Sequence, residues 1–400
     1  MIVYIKDSIM IINNSFENKL FIYDRISKEQ FDINDETFKC LKNIKANKYD
    51  INKINELFDE DFIKQLFDLG IITFEKQKNI NNIKKLTKFN NVRLFVELTN
   101  KCNLCCKHCY GSFAINNNDT LDIEKLKKVI HDASVHNSYQ LDLTGGEPFL
   151  YPYLEEILEV AYNEGMIVRI FSNLTMLNEK TLFLLKKYGV KEIVTSIDSC
   201  IKEKHEQFRG RNGCFNKTLD AIKILKANNI PVSVNTMVGN HNKDEIEELV
   251  SFIDNLKVKS VLDVIVPEGR GNDLNENIYE SAKLIRNIYE NHYKIIDKNA
   301  ISVNCGIGNR FIYIKSNGNI YICPSLIEEQ YKIGHINNFS TYKIWELMNK
   351  KFSYLECSKK CDKCKKCNGG CRARALKLNG NICSQDDVYC IVNEIGDNYD

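Results

Sequence analysis

The sequence lacks an excess of charge of either sign. Its 400 residues include 55 Lys and Arg and 53 Asp and Glu, which leaves a formal net charge of +2. Proteins that bind nucleic acids or membrane surfaces through their overall electrostatic field carry a clear excess of basic residues. The composition therefore predicts neither a nucleic-acid partner nor a membrane-surface partner for the chain as a whole.

The sequence also lacks a long apolar run, and no uninterrupted stretch is long enough to cross a bilayer. The first residues, MIVYIKDSIMIINNSF, do not show the basic region and clean apolar run of an export signal, because Lys6 and Asp7 interrupt the apolar residues. With neither an export signal nor a membrane span, we expect a cytoplasmic protein.

Cysteine, in contrast, is abundant and unevenly distributed. Of 16 cysteines, four lie at 102–109, nine lie beyond residue 300, and three are isolated. In a reducing compartment, clustered cysteines are more often metal ligands or catalytic groups than disulfide partners. The isolated Cys40, Cys200 and Cys214 are expected to be small buried apolar residues.

The chain divides into four segments of different character. Residues 1–78 contain apolar strand candidates followed by three short helical patterns, an order that predicts a winged-helix-like module. Residues 79–91 are polar and rich in lysine and asparagine, so we expect a linker. Residues 92–300 alternate between strand and helix patterns, and residues 301–400 hold most of the cysteines. This length agrees with two or three folded domains.

Six apolar strand candidates occur in the alternating segment, with amphipathic helical patterns between them. They are VRLFVELT (92–99), QLDLTGGE (140–147), MIVRIFSN (166–173), EIVTSID (192–198), PVSVNTMV (231–238) and SVLDVIVP (260–267). Two of the helical patterns end at Gly165 and Gly189. Consecutive βα units predict an α/β fold with a parallel sheet, either open and doubly wound or closed into a partial barrel.

Polar and reactive residues cluster at or near the carboxyl ends of these strands. In chain order they are the cysteine cluster, Gly-Gly-Glu-Pro (145–148), Ser172-Asn173, Ser196-Ile197-Asp198, Asn235-Thr236 and Glu268-Gly269-Arg270. Parallel α/β folds place their active sites at this edge of the sheet. The shared position therefore favours an enzyme over a zinc-stabilised binding module.

The stretch CNLCCKHCY allows two interpretations. Its cysteines can form the interlocked pairs Cys102/Cys105 and Cys106/Cys109, a spacing typical of zinc sites. Alternatively, Cys102, Cys106 and Cys109 form a CxxxCxxC triplet in which Cys105 takes no part. Three thiolates on a four-iron cluster leave one iron open for an external ligand. The stretch alone does not decide between the two.

Residues downstream suit a ligand that carries an amine and a carboxylate. In TGGEP, Gly145 and Gly146 allow close backbone approach and Glu147 offers acceptor oxygens for an amine. Arg209, in FRGRNGCF, could bind a carboxylate with its guanidinium fork. The candidate residues for hydrogen bonds to a ribose are Ser172, Asn173, Ser196 and Asp198.

From residue 92 to about residue 270, the combination of CNLCCKHCY and TGGEP resembles the radical S-adenosylmethionine (SAM) superfamily. The resemblance assigns a four-iron cluster to Cys102, Cys106 and Cys109, which favours the triplet over zinc pairs. It places Tyr110 beside the adenine, and Gly145, Gly146 and Glu147 at the methionyl amine. It implies a partial (β/α)6 barrel of TIM type, in which the reduced cluster cleaves SAM to methionine and a 5′-deoxyadenosyl radical that abstracts a substrate hydrogen. FRGRNGCF and PEGRG also resemble stretches of peptide-modifying members.

The cysteine-rich end resembles the SPASM extension of radical SAM enzymes, which carries two auxiliary four-iron clusters. The matching elements are Cys305, Gly318 and Cys323 as CxnGx4C, a CNGGC, and the final Tyr389-Cys390. Without the resemblance, CxxC spacing would equally suit a pair of zinc ribbons.

The same resemblance implies ligands for the auxiliary clusters and roles in electron transfer or in binding a substrate thiolate. The first cluster would use Cys305, Cys323 and Cys371. The second would use Cys361, Cys367, Cys390 and either Cys364 or Cys357. This choice stays open because the family usually shows CxxCx5Cx3C, whereas this chain reads CxxCxxCxxxC from Cys361. Cys383 has no assigned role.

The N-terminal segment resembles the recognition element of enzymes that modify ribosomally synthesised peptides (RiPPs). Such modules capture a leader peptide, typically as an added strand at a sheet edge, for which we predict residues 30–34. A DNA-binding winged helix is the rival interpretation, but the helical patterns are not notably basic.

Together these resemblances predict a radical SAM/SPASM enzyme that matures a precursor peptide carrying a leader. Its reaction would be a cysteine thioether crosslink, with carbon–carbon crosslinking, another side-chain oxidation or anaerobic sulfatase maturation as alternatives. The expected cofactors are SAM, its cluster and two auxiliary clusters, and the expected electron donor is of flavodoxin or ferredoxin type. A non-enzymatic iron–sulfur or zinc protein is the alternative of a different class.

Overall fold

The fold is described from a computed structural model of the chain. The structure describes residues 1–14, 19–78, 80–86, 93–292, 307, 311–352 and 370–393. These residues form three β-sheets, of two, four and nine strands, with helices packed against them. The α/β class is confirmed. Within the described ranges, none of the helices is long and apolar enough to cross a membrane.

The N-terminal module consists of short strands and three helices. The strands are β1 (Tyr4–Ile5), β2 (Ile9–Asn14), β3 (Lys19–Asp24), β4 (Gln30–Asp32), β5 (Ile72–Thr73) and β6 (Ile83–Leu86). The helices are α1 (Asp35–Asn47), α2 (Ile51–Leu57) and α3 (Glu60–Asp68). Asn34, Asp50 and Asp59 accept backbone N–H donors at the three helix N-termini, which explains where the helices begin.

Part of the segment predicted to be a linker is a strand. β6 pairs in parallel with β2, and the sheet order is β4-β3-β2-β6. The lysines of this segment suggested solvent exposure, but Lys84 is fully buried. Its ammonium group donates to Ser134 Oγ at 2.7 Å and to the carbonyl oxygen of Glu164 at 3.1 Å. Residues 83–86 therefore join the module to the next domain, in contrast to the linker predicted over 79–91.

Six parallel strands form the central sheet. They are β7 (Arg93–Glu97), β8 (Gln140–Thr144), β9 (Ile167–Phe171), β10 (Glu192–Ser196), β11 (Val232–Val238) and β12 (Lys259–Val264). Each pairs in parallel with the next along the chain. All six predicted strands and their parallel arrangement are thus confirmed, and β12 lies at one edge of the sheet. The sheet is therefore an open, partial barrel.

Helices connect and cover these strands. They are α4 (Ile123–Val135), α5 (Leu154–Asn163), α6 (Glu179–Lys187), α7 (Lys202–Arg209), α8 (Cys214–Ala227), α9 (Ile246–Asn255) and α10 (Ile278–His292). Their apolar faces share one buried core with the strands. Each fully buried Leu, Ile or Val side chain contributes about 1.5–3 kcal/mol, so this core accounts for much of the stability.

The C-terminal part extends the sheet on its other side. β13 (Phe311–Ile314) pairs in parallel with β7, and β14 (Asn319–Tyr321) and β15 (Lys332–His335) continue the sheet in antiparallel pairing. The helices here are α11 (Thr341–Phe352), α12 (Arg372–Asn379) and α13 (Asp387–Asn393).

The N-terminal module packs against the amino ends of the barrel strands. Buried Tyr23 on β3 and Ile167 at the start of β9 belong to the same apolar cluster. The buried Arg25 donates through Nη1 to the carbonyl oxygen of Tyr162 at 2.6 Å. Gly189 lies so close that a Cβ atom there would be 2.5 Å from the carbonyl oxygen of Arg25. The contact between the two units is therefore tight.

The inside of the barrel changes character along the strands. Side chains two residues apart on a strand share a face, so the inward positions can be followed from one end to the other. Near the amino ends, Asp142 accepts from Arg93 and from Arg169 Nε, the latter at 2.9 Å. Further along, Phe95 and Phe171 pack edge to face with ring centroids 5.2 Å apart. The carboxyl end opens into a cavity.

Candidate active site

A cavity of about 360 Å3 lies at the carboxyl ends of the barrel strands. Its wall includes Cys102, Cys106 and Cys109, together with Gly145 and Gly146. Other polar residues of the wall come from the third, fourth and sixth strands, the loops that follow them and the C-terminal part, and they include Ser172, Asn173, Ser196, Arg209, Asp263, Glu268 and Ser325, with Pro324 beside the last. Most of the predicted site residues therefore meet at one place, as their common position after the strands suggests.

The three cysteines of the CxxxCxxC triplet differ from Cys105. Each sulfur of the triplet accepts an N–H donor: Leu104 N lies 3.4 Å from Cys102 Sγ, Phe113 N lies 3.4 Å from Cys109 Sγ, and Arg209 Nη1 lies 3.7 Å from Cys106 Sγ. Cys105 is exposed, does not line the cavity, and carries its backbone N–H to the carbonyl oxygen of Arg209. The geometry supports the triplet and leaves Cys105 aside.

Arg270 holds the cysteine loop at two points. Its Nε donates to the carbonyl oxygen of Cys106 at 2.8 Å and its Nη2 donates to that of Phe113 at 3.0 Å. The preceding Gly269 has a positive φ of 51°, and a Cβ atom there would lie 2.3 Å from the carbonyl oxygen of Tyr110. Only glycine fits this approach. The PEGRG stretch therefore positions the cysteines.

Arg209 does not present the free guanidinium fork that the sequence suggested. Its Nε and Nη2 both lie 2.5 Å from Asp198 Oδ2, and both residues are buried. Burial alone raises the pKa of Asp198, but Arg209 and the nearby His108 and His205 outweigh it and lower this pKa to about 2. Arg209, predicted to bind a carboxylate, and Asp198, predicted to bind a ribose, therefore form an ion pair with each other. This pair directs Nη1 of Arg209 to Cys106. Asp198 is also absent from the cavity wall.

The two glycines of TGGEP are explained by contact with the cysteine loop. A Cβ atom on Gly145 would lie 2.4 Å from the carbonyl oxygen of Thr99, and one on Gly146 would lie 2.3 Å from that of Lys101. The Gly146 N–H donates to the Thr99 carbonyl oxygen at 2.8 Å. The close backbone approach seen here is to the cysteine loop, and approach to a ligand in the cavity stays a prediction.

Glu147 occupies a different place from the one predicted. Its side chain is fully buried, and the residue does not line the cavity. Its carboxylate accepts from Ser172 Oγ at 2.7 Å, from Asn173 N at 2.8 Å and from Phe149 N at 3.0 Å. Burial raises the pKa of Glu147 to about 7, although these donors oppose the shift. Glu147 therefore joins the second and third loops, and its carboxylate is engaged with three donors of the protein.

The remaining predicted polar residues line the cavity with their side chains partly committed. Ser172 Oγ donates to Glu147 and accepts from Leu174 N at 2.9 Å. Asn173 Nδ2 donates to Asn103 Oδ1 at 2.9 Å, within the cysteine loop. Ser196 lies on the wall at the end of β10. Ser172 and Asn173 therefore connect neighbouring loops, a role that their residue types alone did not indicate.

Comparison with known proteins agrees with this geometry. A family model of the radical SAM superfamily matches residues 96–253, and a model of an iron–sulfur cluster-binding domain, SPASM, matches residues 305–368. The antilisterial bacteriocin subtilosin biosynthesis protein AlbA of Bacillus subtilis is 32% identical over 314 residues, which are 72% of this chain and 69% of that protein. The chain belongs to the radical SAM superfamily.

Two further comparisons extend this result. An AdoMet-dependent heme synthase of Methanosarcina barkeri is 28% identical over 74% of this chain and 95% of that protein. The crystal structure of Streptococcus suis SuiB bound to precursor peptide SuiA has a TM-score of 0.63 at 14% identity, covering 97% of this chain and 99% of that chain. The second likeness shows a shared fold over nearly the whole length.

As a radical SAM enzyme, the chain uses SAM, the four-iron cluster that binds it, and auxiliary clusters. The triplet fits the first cluster, because three thiols face one cavity and each accepts an N–H donor, as cluster thiolates do. Burial raises the pKa of the Cys102 thiol to about 12, so its thiolate needs a nearby cation such as iron. Tyr110 lines the cavity beside the triplet.

The expected auxiliary ligands are only partly within the described residues. Cys323 Sγ accepts from Ser325 N at 3.4 Å, and Cys371 Sγ accepts from Arg374 N at 3.5 Å at the start of α12. Cys390 lies in α13. The predicted ligands Cys305, Cys357, Cys361, Cys364 and Cys367 lie outside the described residues. Cys323 itself does not line the cavity, but the two residues that follow it, Pro324 and Ser325, do.

Sequence reasoning did not identify the buried carboxylate behind the cavity. Glu97, at the end of β7, accepts hydrogen bonds from Tyr313 Oη and from Ser316 Oγ, the latter at 2.5 Å. These contacts tie β7, which leads into the cysteine loop, to the β13 extension of the sheet. An acidic residue inside the apolar run VRLFVELT was the signal that could have indicated a buried, fully bonded role.

Proposed function

We propose that this radical SAM enzyme matures a ribosomally synthesised precursor peptide by forming a thioether between a cysteine sulfur and a carbon of another residue. The observation that carries the proposal is the composition of the cavity wall. The cysteine triplet contributes from the barrel, and Pro324 and Ser325 contribute from the segment that follows Cys323. A substrate in this cavity contacts both the barrel and the cluster-binding domain.

Peptide substrates are supported by the relatives as well. One of them is a biosynthesis protein of the bacteriocin subtilosin, and the SuiB structure contains its precursor peptide. The heme synthase relative makes a tetrapyrrole the second candidate substrate. The lining carboxylates Asp263 and Glu268 are paired with Arg374 and Lys377, each at 3.0 Å, so the choice of a peptide rests on the peptide-maturing relatives.

When bound and reduced, the cluster and SAM supply the radical that abstracts a hydrogen atom from the substrate. The protein's own residues hold the parts in place. Arg270 fixes the backbone of the cysteine loop, and Asp198 orients Arg209 toward Cys106. Gly146 and Glu147 anchor the second strand's loop against the first and third. Such pre-organised donors around sulfur also influence a cluster's reduction potential.

Thioether formation removes two hydrogen atoms from the peptide. The radical takes one from carbon, and the thiol hydrogen leaves as a proton plus an electron. The auxiliary clusters are the proposed electron acceptors, and Cys323 and Cys371 are their proposed ligands within the described residues. Both sulfurs already accept backbone N–H donors. A flavodoxin or ferredoxin as external electron donor stays a prediction, as does the cytoplasmic location.

The N-terminal module is proposed to capture the leader of the precursor. β4 lies at the edge of the four-stranded sheet, as required for addition of a peptide strand. Ile33 N donates to the carbonyl oxygen of Leu20, so the alternation of an antiparallel ladder directs the backbone groups of Gln30 and Asp32 away from β3. These outward groups are the proposed docking points within the predicted residues 30–34.

The test uses the reconstituted full-length enzyme with SAM, a reductant and a cysteine-containing precursor peptide that carries its leader. Mass spectrometry should show loss of two hydrogen atoms and a cysteine that no longer reacts with iodoacetamide. A carbon–carbon crosslink would lose the same mass but leave the thiol reactive, and this outcome would overturn the thioether. An unmodified peptide, with modification of a tetrapyrrole or a sulfatase peptide instead, would overturn the proposed substrate.

The leader-binding role has its own test. Asp32→Pro removes both the side chain and the outward backbone N–H. Asp32→Ala removes the side chain but keeps the backbone N–H. We expect Asp32→Pro to lower processing of the full precursor and Asp32→Ala to preserve it. Equal processing by both variants would contradict leader capture at β4.

A further inference from the structure

A second cavity, of about 600 Å3, lies where the N-terminal module meets the amino ends of the barrel strands. Its wall combines the turn between β3 and β4 with the residues that precede or begin β10, β11 and β12. It therefore lies at the opposite end of the barrel from the cysteine triplet. The catalytic chemistry described above makes no use of it.

The wall of this cavity is strongly basic. It includes five lysines and one acidic residue, Glu192; the lysines are Lys28, Lys191, Lys226, Lys257 and Lys259. Glu192 is already engaged, because it accepts from Ser233 Oγ and lies 3.6 Å from Arg169 Nη1. Lys28, Lys191, Lys226 and Lys257 therefore leave an excess of positive charge on this wall.

Two of the lysines are fixed by hydrogen bonds to backbone carbonyl groups. Lys28 Nζ donates to the carbonyl oxygen of Arg25, and Lys226 Nζ donates to that of Leu256. These bonds fix the ammonium groups without neutralising them. Across the described part of the chain, Lys28, Lys191, Lys226 and Lys257 form no ion pair with a carboxylate. Burial is the main cause that lowers the pKa of Lys28 to about 8; the carboxylate of Asp24 opposes the shift, and the positive charges of Arg25 and Lys191 add to it.

The clustered positive charges attract an anion, and a bound anion offsets part of their mutual repulsion. The position of the cavity indicates which kind of anion binds there. Lys28 lies two residues before Gln30, the first residue of the edge strand β4. An extended peptide advances about 3.3 Å per residue, so a peptide paired with β4 reaches the lysines within a few residues. Continuity with this edge favours a peptide over a free phosphate or a nucleic acid.

We infer that the lysine cavity binds an acidic stretch of the precursor's leader, next to the segment that pairs with β4. This inference rests on the proposed peptide-maturing function and adds the chemistry of the recognised partner. Two contacts would then hold the leader: main-chain hydrogen bonds along β4 and carboxylates in the cavity. The acidic stretch would give specificity that backbone pairing alone does not provide.

The probe is a fluorescein-labelled peptide of alternating glutamate and serine, with a glutamine-for-glutamate peptide as its neutral match. Fluorescence anisotropy with the full-length holoenzyme should show binding of the acidic probe that weakens with added salt. The triple variant Lys191→Gln/Lys257→Gln/Lys259→Gln should weaken it by about tenfold, as expected for three charge pairs of modest energy. The control Lys343→Gln/Lys350→Gln/Lys351→Gln removes the same charge from exposed positions of α11 and should leave binding unchanged.

Three outcomes would overturn the inference. The neutral peptide could bind as tightly as the acidic one, the α11 control could weaken binding equally, or an oligoadenylate RNA or inorganic phosphate could bind the cavity in preference to the acidic probe. If the triple variant unfolds, the double variant Lys257→Gln/Lys259→Gln, at two exposed positions, decides the question by the same assay. Failure of the proposed function looks different: the wild-type enzyme would cleave SAM without modifying any precursor, whatever its affinity for the probe.

Discussion

The two ends of the six-stranded barrel differ in the side chains they carry and in what packs against them. At the carboxyl ends, glycines bring the loops into contact, and three thiols with N–H donors line a cavity. At the amino ends, buried charges fill the interior, and a separate module packs against the strands. A strand of five residues such as β10 spans about 16 Å, so the two ends are close yet do not share residues.

This difference teaches how chemistry and recognition can be kept apart. Side chains that face one end do not reach the other, because the aromatic layer of Phe95 and Phe171 lies between them. Changes at the carboxyl end should therefore affect SAM cleavage, whereas changes at the amino end should affect only peptide handling or stability. The following variants test this separation in order of decreasing effect.

The largest effect is expected at Cys106. Cys106→Ser replaces a thiol of the triplet and should abolish formation of 5′-deoxyadenosine and reduce the iron content, because the cluster loses one of three ligands. Cys105→Ser is the matched control, since the neighbouring thiol is exposed and away from the cavity. Equal loss of SAM cleavage in both variants would mean that Cys105 belongs to the site.

A smaller effect is expected at Gly146. Gly146→Ala would place a Cβ atom 2.3 Å from the carbonyl oxygen of Lys101, so the cysteine loop must move. Overpacking of this kind costs about 1–3 kcal/mol and should lower both the thermal midpoint and cluster occupancy. Gly334→Ala meets only ordinary contacts at 3.9 Å and beyond and should change neither. Indistinguishable behaviour of the two variants would contradict the close packing described above.

A pH effect of similar size is expected from Glu147. Its pKa in the folded chain is about 7, above the ordinary glutamate value of about 4.3. The folded state therefore holds an extra proton between these values, and the free energy of unfolding falls as the pH rises through this window. From about pH 5 to about pH 7 the loss should be about 2 kcal/mol, and Glu147→Gln should remove it. Thermal unfolding at both pH values measures the slope, and an unchanged slope in the variant would exclude Glu147 as its source.

At the amino end, Arg25 should affect stability but not SAM cleavage. Arg25→Met removes hydrogen bonds from Nη1 to the Tyr162 carbonyl and from Nη2 to the Asp7 carbonyl at 2.6 and 2.5 Å. The cost should be about 1–3 kcal/mol, seen as faster hydrogen exchange in β2 and β3. Lys64→Met, at an exposed position of α3, serves as the control. A large loss of 5′-deoxyadenosine in Arg25→Met would show that the two ends are coupled.

The sequence predicted the barrel well and individual side-chain roles less well. Strand positions, the parallel order and the shared face follow from local apolar patterns and from the rule on carboxyl ends. Pairing between polar residues does not, because it depends on which side chains meet in three dimensions. Asp198 binds Arg209, and Glu147 accepts a hydrogen bond from Ser172. The residue types had suggested that these side chains contact a cofactor.

The strand at residues 83–86 shows the same limit in the fold. A lysine-rich stretch reads as solvent-exposed, and only the surrounding carbonyl and hydroxyl oxygens explain why Lys84 is buried. Burial lowers the pKa of Lys84 to about 7. The three oxygen acceptors offset part of the free-energy cost of burying the ammonium group. No local pattern encodes such an environment.

The most direct test of the separation measures 5′-deoxyadenosine without peptide and modified peptide with precursor, in parallel, for Cys106→Ser and Asp32→Pro. The account predicts that Cys106→Ser loses both products, and that Asp32→Pro keeps 5′-deoxyadenosine at the wild-type level while modified precursor falls. Wild-type cleavage by Cys106→Ser, or loss of cleavage without peptide in Asp32→Pro, would contradict it.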